Sequence, residues 1–267
     1  MKRLGLLALT LISLSGCTFS LDWFRFIRAQ RAVMRHDYPA AIRIFQMIAE
    51  NEPDSPQALS AARQGARVAH LEAKNYPRAV DFYKQIVLRS PDVEERKSAQ
   101  RYIAQIYFEN LLDYDQAVIE YERLLKMDNR PEENFRYRLN LAKAHFQLNN
   151  LGQSMTEIDV LLSQKHGEDE IFEAKTLKAN IQMANKQLAE AAETWEGILT
   201  QFPERSQKEN VALNLVVCYE ELKEFGKAIG VLERMKPGYP DPDFVDLRIE
   251  RLKERKANLP GAQGWRR

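Results

Sequence analysis

Two cysteines, four histidines and a few clustered acids are the residues of this 267-residue sequence whose types could do chemistry. Cys17 follows an apolar run in "LISLSGCTFS", where a thiol could pair, attack or carry a modification. Cys218 lies in "NLVVCYEEL", an apolar helical stretch in which a buried, inert thiol is expected. His36 precedes a turn, and His70 and His145 hold equivalent places before two later turns, which points to packing. His166 sits in "QKHGEDE" beside Glu168, Asp169 and Glu170, acids that could touch a cation but read as a solvated loop. The two carboxylates of "LLDYDQA" stand at a helix start, where N-capping accounts for them. The sequence has no Gly-rich phosphate loop, HExxH, paired CxxC or nucleophile elbow. The expectation is therefore a protein that is not an enzyme, with no catalytic residue, no metal site and no cofactor.

The amino-terminal segment has a definite layout. Lys2 and Arg3 precede the apolar "LGLLALTLISL", which ends in Ser15 and Gly16, the three parts of a secretory signal peptide. The run is too short for a spanning helix. Leu14-Ser15-Gly16-Cys17 resembles the bacterial lipobox, which implies removal of residues 1–16 and acylation of Cys17 by chains such as palmitate. Each buried methylene contributes ~0.8 kcal/mol, so two or three acyl chains hold a protein on a membrane where one does not. Loss of residues 1–16 would take two basic residues and no acid, leaving a net charge of −1. Cys218 would then have no disulfide partner, although export implies an oxidising compartment. The whole chain carries 39 basic and 38 acidic residues, a balance that excludes nucleic-acid binding through a general phosphate field.

The elements that must position any functional side chain are helices. Only 11 Gly and 11 Pro interrupt long stretches of Ala, Leu, Glu, Lys, Gln and Arg, and no strand-type alternation is present. One phrase recurs six times: "DYPAAIRIFQMIAENEP", "NYPRAVDFYKQIVLRSP", "DYDQAVIEYERLLKMDN", "NLGQSMTEIDVLLSQKH", "QLAEAAETWEGILTQFP" and "EFGKAIGVLERMKPGYP". Its small residues are Ala41, Ala79, Ala117, Ser154, Ala191 and Ala228, at intervals of 38, 38, 37, 37 and 37. Four positions later come Phe45, Tyr83, Tyr121, Ile158, Trp195 and Leu232. Positions i, i+4 and i+7 share one helical face, so the small residue admits a neighbouring helix and the large one fills the adjoining hole. Pro53, Pro91, Pro203 and Pro240 close four of the units. A second helical segment precedes each phrase, making the unit helix, short turn, helix.

This pattern resembles the tetratricopeptide repeat (TPR) over roughly Leu21 to Asp241. The resemblance implies an all-α fold, an α-α superhelix (solenoid) of about six helix-turn-helix repeats. Counted from the turn, Ala29, Ala142 and Ala179 occupy the small position of the first helix, but Arg67, Gln105 and Val216 fall there in the other units, leaving the register of those first helices open. The expected organisation is a signal peptide at 1–16, a lipidated tether at 17–20, the solenoid at 21–241, a capping helix at 242–257 and a disordered tail at 258–267 containing Trp265. In the cap, Val245, Ile249 and Leu252 form the inward stripe, with Arg248, Arg251 and Glu254 turned outward.

The family resemblance further implies a concave groove lined by the first helices, suited to an extended peptide or a partner helix. Its positions here are Arg136, Asn140, Lys143 and Gln147 in the fourth unit, with Asn180 and Asn214 in the fifth and sixth; the wet side of ordinary helices is the alternative. The first helix, "LDWFRFIRAQRAVMR", is a second candidate surface. Trp23, Phe24, Arg25 and Arg28 could lie against a membrane or a partner, although the expected arrangement packs the aromatics on the next repeat and leaves the arginines solvated.

With the anchor, the architecture is similar to bacterial outer-membrane TPR lipoproteins, namely the lipoprotein of the β-barrel assembly machinery (BamD-like) and the type IV pilus pilotins. The expected function is then a scaffold for other envelope proteins, facing the periplasm from the outer membrane, consistent with Thr18 rather than Asp after the anchor. The alternatives are an adaptor of peptidoglycan hydrolases or synthases and, more remotely, a superhelical peptidoglycan-active enzyme.

Overall fold

A computed structural model of the chain describes residues 16–259, with side chains from residue 21 onward. The expected signal peptide, the Cys17 side chain and Trp265 lie outside the described residues. Fourteen α-helices and no strands are present among those described. They are α1 (Gly16–Met34), α2 (Tyr38–Asn51), α3 (Pro56–Arg67), α4 (Tyr76–Arg89), α5 (Val93–Gln105), α6 (Tyr114–Leu125), α7 (Pro131–Gln147), α8 (Leu151–Leu162), α9 (Glu168–Ala184), α10 (Leu188–Gln201), α11 (Pro203–Lys208), α12 (Val211–Glu221), α13 (Phe225–Met235) and α14 (Pro242–Ala257). No helix among the described residues is long and apolar enough to cross a membrane. The backbone of residues 17–20, expected as a tether, is the first turn of α1.

The fold is an all-α repeat solenoid of helix pairs. The pairs are α1–α2, α3–α4, α5–α6, α7–α8, α9–α10 and α12–α13, followed by α14 as the cap. Within each unit successive pairs join: α2 packs on α3, α4 on α5, α8 on α9, and α10 on α12. The described chain divides into two compact units, one ending at Met127 and the other beginning at Asp128. Each unit holds three helix pairs.

The repeated phrase forms the second helix of every pair. All six small residues are fully buried. The large residues four positions later are buried too, and Trp195, Tyr121 and Phe45 are among the largest fully buried side chains. Ser154, the one hydroxyl at a small position, donates at 2.7 Å to the carbonyl of Ala142, so its polar atom is satisfied in the core.

One left-handed residue makes each turn between paired helices. His36, Lys74, Leu112, Asn149, Lys186 and Lys223 all have φ between 50° and 61°, and the residue that follows each one is the N-cap of the second helix. This is the common helix C-terminal device, with the next amide reaching back into the last turn. Asp37, Asn75 and Asp113 then cap their helices by accepting from the amides of Ala40, Arg78 and Gln116 at 3.1, 3.3 and 3.1 Å.

The register left open in the second and third first helices is set by one extra residue in each. The buried small residues there are Ala66 and Ala104, one position before Arg67 and Gln105. Between them and the turn the helix widens to π geometry at Val68–Glu72 and Ile106–Asn110, where the amides of Ala73 and Leu111 reach back five residues to Val68 and Ile106, both at 2.9 Å. The turn bonds follow suit. Asp37 and Asn150 reach back five residues, whereas Asn75 and Asp113 reach back six. These two π segments therefore absorb the residue that makes the intervals 38 instead of 37. In the sixth pair Val216 is fully buried at the small position. Its helix is preceded by the short α11 and a left-handed Asn210, φ 55°.

The cap buries Val245, Ile249 and Leu252 as expected. Arg248 is not turned outward. It binds Glu220 of α12 through Nε at 3.0 Å and Nη2 at 2.8 Å, and Arg255 reaches the same carboxylate at 3.0 Å. The expected loop acids Glu168, Asp169 and Glu170 form the first turn of α9, where Glu170 accepts from the Gly167 amide at 3.0 Å and Arg205 bonds Asp169 at 2.6 Å. Helix-start amides and the dipole account for their clustering.

A branched residue held left-handed costs about 1–2 kcal/mol that glycine does not. Leu112 has φ 52° and an exposed side chain, so little packing offsets that cost. Leu112→Gly is expected to raise stability by about 1 kcal/mol, seen as a thermal midpoint higher by about 2–4 °C. A lower midpoint would show that the leucine's contacts outweigh its strain.

Candidate protein-binding face of the first helices

With the register known, equivalent positions on the first helices can be compared. Residues six and two before the small residue, and one and five after it, fall on one helical face. On α7 these are Arg136 and Gln147, both exposed, and Asn140 and Lys143, both half-buried. Asn180 of α9 is equivalent to Lys143, and Asn214 of α12 to Asn140. The six residues proposed for the groove thus share one face of their helices. Leu177 of α9, at the position of Asn140, is buried and interrupts the polar row. Asn140 already has an interaction partner within the protein. Ion pairs beside this face, Arg138 with Glu157 and Lys178 with Asp159 at 2.9 Å, tie the first helices to α8.

In the first unit the same face carries Gln64 and Arg67 on α3 and Tyr102 and Gln105 on α5. Tyr102 is missed when positions are counted from the turn, because the π segment shifts it by one. It stacks on Tyr83 with ring centroids 5.0 Å apart, and the Arg101 guanidinium lies 5.5 Å from its ring. His70 meets Tyr102 edge-on at 5.7 Å, and its Nδ1 is 3.2 Å from the Tyr83 hydroxyl. Burial lowers the His70 pKa, with Glu109 opposing, and pushes Tyr83 up to about 12. The cluster is a neutral aromatic platform, and His70 is a packing residue within it. His145 is half-buried, its Nδ1 shielded from solvent. His166 packs on Phe135 at 4.8 Å.

On α1 the face reads Trp23, Ile27, Gln30 and Met34. Of the aromatics expected to pack on the next repeat, Phe26 packs within its own pair, edge-on to Phe45 of α2 at 5.5 Å. Trp23 and Phe24 do not: they are 54% and 62% exposed and contact each other at 5.1 Å. Arg25 turns inward to the buried Asp22 at 2.8 Å.

Several clefts lie elsewhere among the described residues, and two of them are lined by a buried polar side chain. One of about 480 Å³ among α4, α5 and α6 surrounds the buried Glu120, which accepts from Gln100 at 2.5 Å and Arg123 at 2.8 Å. Those bonds satisfy the carboxylate in place. The other, of about 310 Å³, lies beside α11 and is lined by Gln207, Met235 and Tyr239. No group of His, Cys, Asp or Glu among the described residues is arranged to hold a metal ion. Cys218 is fully buried and its thiol is pushed up to about 11 by desolvation.

These features define an all-α helix-pair repeat protein whose side-chain variation is displayed along the first helices. Residues 106–169 match the sequence model of the tetratricopeptide repeat. Similar folds include a TPR protein from Parabacteroides merdae, 14% identical over 88% of this chain and 89% of the other, TM-score 0.52. YrrB, a TPR protein described as having an unusual peptide-binding site, is 16% identical over 78% of this chain and 97% of its own, TM-score 0.52. The Naa15/Naa10 complex bound to HypK-THB contains a chain matched over 87% of this one and 39% of its own, at 15% identity and TM-score 0.57. A comparison with curated protein sequences produced no match.

Because His70 is held neutral, the unfolded chain takes up its proton first, near pH 6.5. Its contribution to stability is complete above that pH and is lost as pH falls toward the lower folded-state value. The urea midpoint should therefore exceed that of His70→Gln by more at pH 7.5 than at pH 5. Equal differences at the two pH values would mean that the imidazole is not held neutral by burial.

Proposed function

We propose that this chain is a non-enzymatic TPR scaffold, anchored by acyl chains on Cys17 to the outer membrane, that binds other envelope proteins in the periplasm. Assembly of outer-membrane proteins or of secretin and pilus components is the favoured setting. The observation that carries the scaffold reading is the repeat-equivalent face of the first helices. Arg136, Lys143, Gln147, Asn180 and Asn214 vary in chemistry there while the core behind them stays constant. A regular backbone with varied side chains is what an extended peptide or partner helix reads. YrrB, similar in fold, is described as binding peptide. Support for the anchor comes from Leu14-Ser15-Gly16-Cys17 after a basic start and an apolar run.

Crosslinking in intact cells followed by identification of the captured proteins tests the reading. Barrel or secretin subunits support it, and murein hydrolases or synthases would replace it with the adaptor alternative. Arg136→Ala combined with Lys143→Ala should reduce that capture at least tenfold with an unchanged melting temperature; full capture would move the binding surface off α7. Cys17→Ser should release the protein from the membrane fraction on washing with high salt, and retention after that wash would remove the anchor.

A further inference from the structure

The first helices differ in a second face, one residue along from the one described above. Positions five and one before the small residue, and two after it, are mostly buried in the later repeats, as with Ala99 and Ile103 of α5 and Ile106 of the π segment after it, or Val211, Leu215 and Cys218 of α12. On α9 this face includes Lys178, which reaches Asp159 of the preceding pair at 2.9 Å. On that helix it is a face that meets the previous pair. On α1, which has no preceding helix among the described residues, it consists of Phe24, Arg28 and Arg31, with Arg35 a turn further on, and all four are exposed.

A terminal repeat needs a polar outer face, but a solvated cap carries both signs. Exposed positions of α14 do so, with Asp243, Glu250 and Glu254 among Arg251 and Lys253. Helix α1 does not. Its one acid among the described residues, Asp22, is buried and bound to Arg25 at 2.8 Å and to Asn51 at 3.2 Å. The outward face is therefore three arginines without a counter-charge, and its amino-terminal end bears exposed Leu21, Trp23 and Phe24. Residues 1–16 contain Lys2, Arg3 and no acid, so they supply no complement to it.

The geometry points to α1 as an interfacial helix that docks on an anionic phospholipid bilayer, with Arg28, Arg31 and Arg35 toward headgroup phosphates and Trp23 and Phe24 at the acyl boundary. Arginines flanked by aromatics at one helix end match the charge and the polarity gradient of that surface. The docking needs no acyl chain, so it stands apart from the anchor at Cys17 while orienting an anchored chain with its first repeat against the membrane.

The test uses full-length Cys17→Ser protein, which carries no acyl chain, co-sedimented with phosphatidylglycerol–phosphatidylcholine vesicles and with pure phosphatidylcholine vesicles. The expected result is an excess of binding to the anionic vesicles that weakens with added salt. Arg28→Glu, Arg31→Glu and Arg35→Glu together should lower binding to the anionic vesicles by about a hundredfold or more. The corresponding triple lysine variant should retain it, and Trp23→Ser with Phe24→Ser should reduce it. Equal binding to both vesicle types, or an unchanged excess in the glutamate variant, would overturn the inference. So would capture of an acidic protein through this face without any vesicle binding. Scoring release of Cys17→Ser protein from cell membranes after a high-salt wash removes the salt-sensitive docking of α1 and bears on the anchor alone, so failure of one proposal is distinguishable from failure of the other.

Discussion

The structure depends on one steric constraint, the close approach of helices over a small side chain. Each second helix buries an alanine or serine completely, and four residues on a large side chain fills the space beside it. Exchanging the small residue for a larger one would push the helices apart and open gaps around Trp195, Tyr121 or Phe45, at the cost of a cavity term as well as lost burial. The large residue itself is free to vary among aromatic and aliphatic types, because neighbouring positions repack to similar volume. The pair of positions, and not any single residue, is what recurs.

Because that constraint acts through helical phase, an extra residue has to be absorbed somewhere. An insertion in an α-helix rotates everything beyond it by 100°, which would carry Ala66 and Ala104 off the contact. The π segments at Val68–Glu72 and Ile106–Asn110 take up the residue within a single turn. The small residues remain packed and the left-handed turn residues Lys74 and Leu112 still start their second helices in phase. An effect on the surface follows. Tyr102 and His70 come together with Tyr83 beside these segments, so the first unit displays an aromatic platform where α7 displays a polar row.

The terminal helices show what the same constraint leaves undone. At the carboxyl end α14 closes its unit with an apolar stripe, and Glu220 holds two arginines of the cap. At the amino end α1 exposes the corresponding face, of arginine and phenylalanine, with no apolar partner among the described residues.

Much of the fold was legible in the sequence alone. Period and type of the small and large residues determined the helix pairs, their number and the cap stripe of Val245, Ile249 and Leu252, since burial on one helical face needs only local spacing. Tertiary structure decided what spacing cannot express. It assigned Ala66 and Ala104, not Arg67 and Gln105, to the contact, because hydrogen-bond geometry in the last turn of a first helix is settled by what that turn packs against. It turned Arg25 and Arg248 inward, because the carboxylates that hold them, Asp22 and Glu220, are positioned by folding. Trp23 and Phe24 were left in the open for a related reason: an aromatic is buried only if another element covers it, and coverage is a property of neighbours in space.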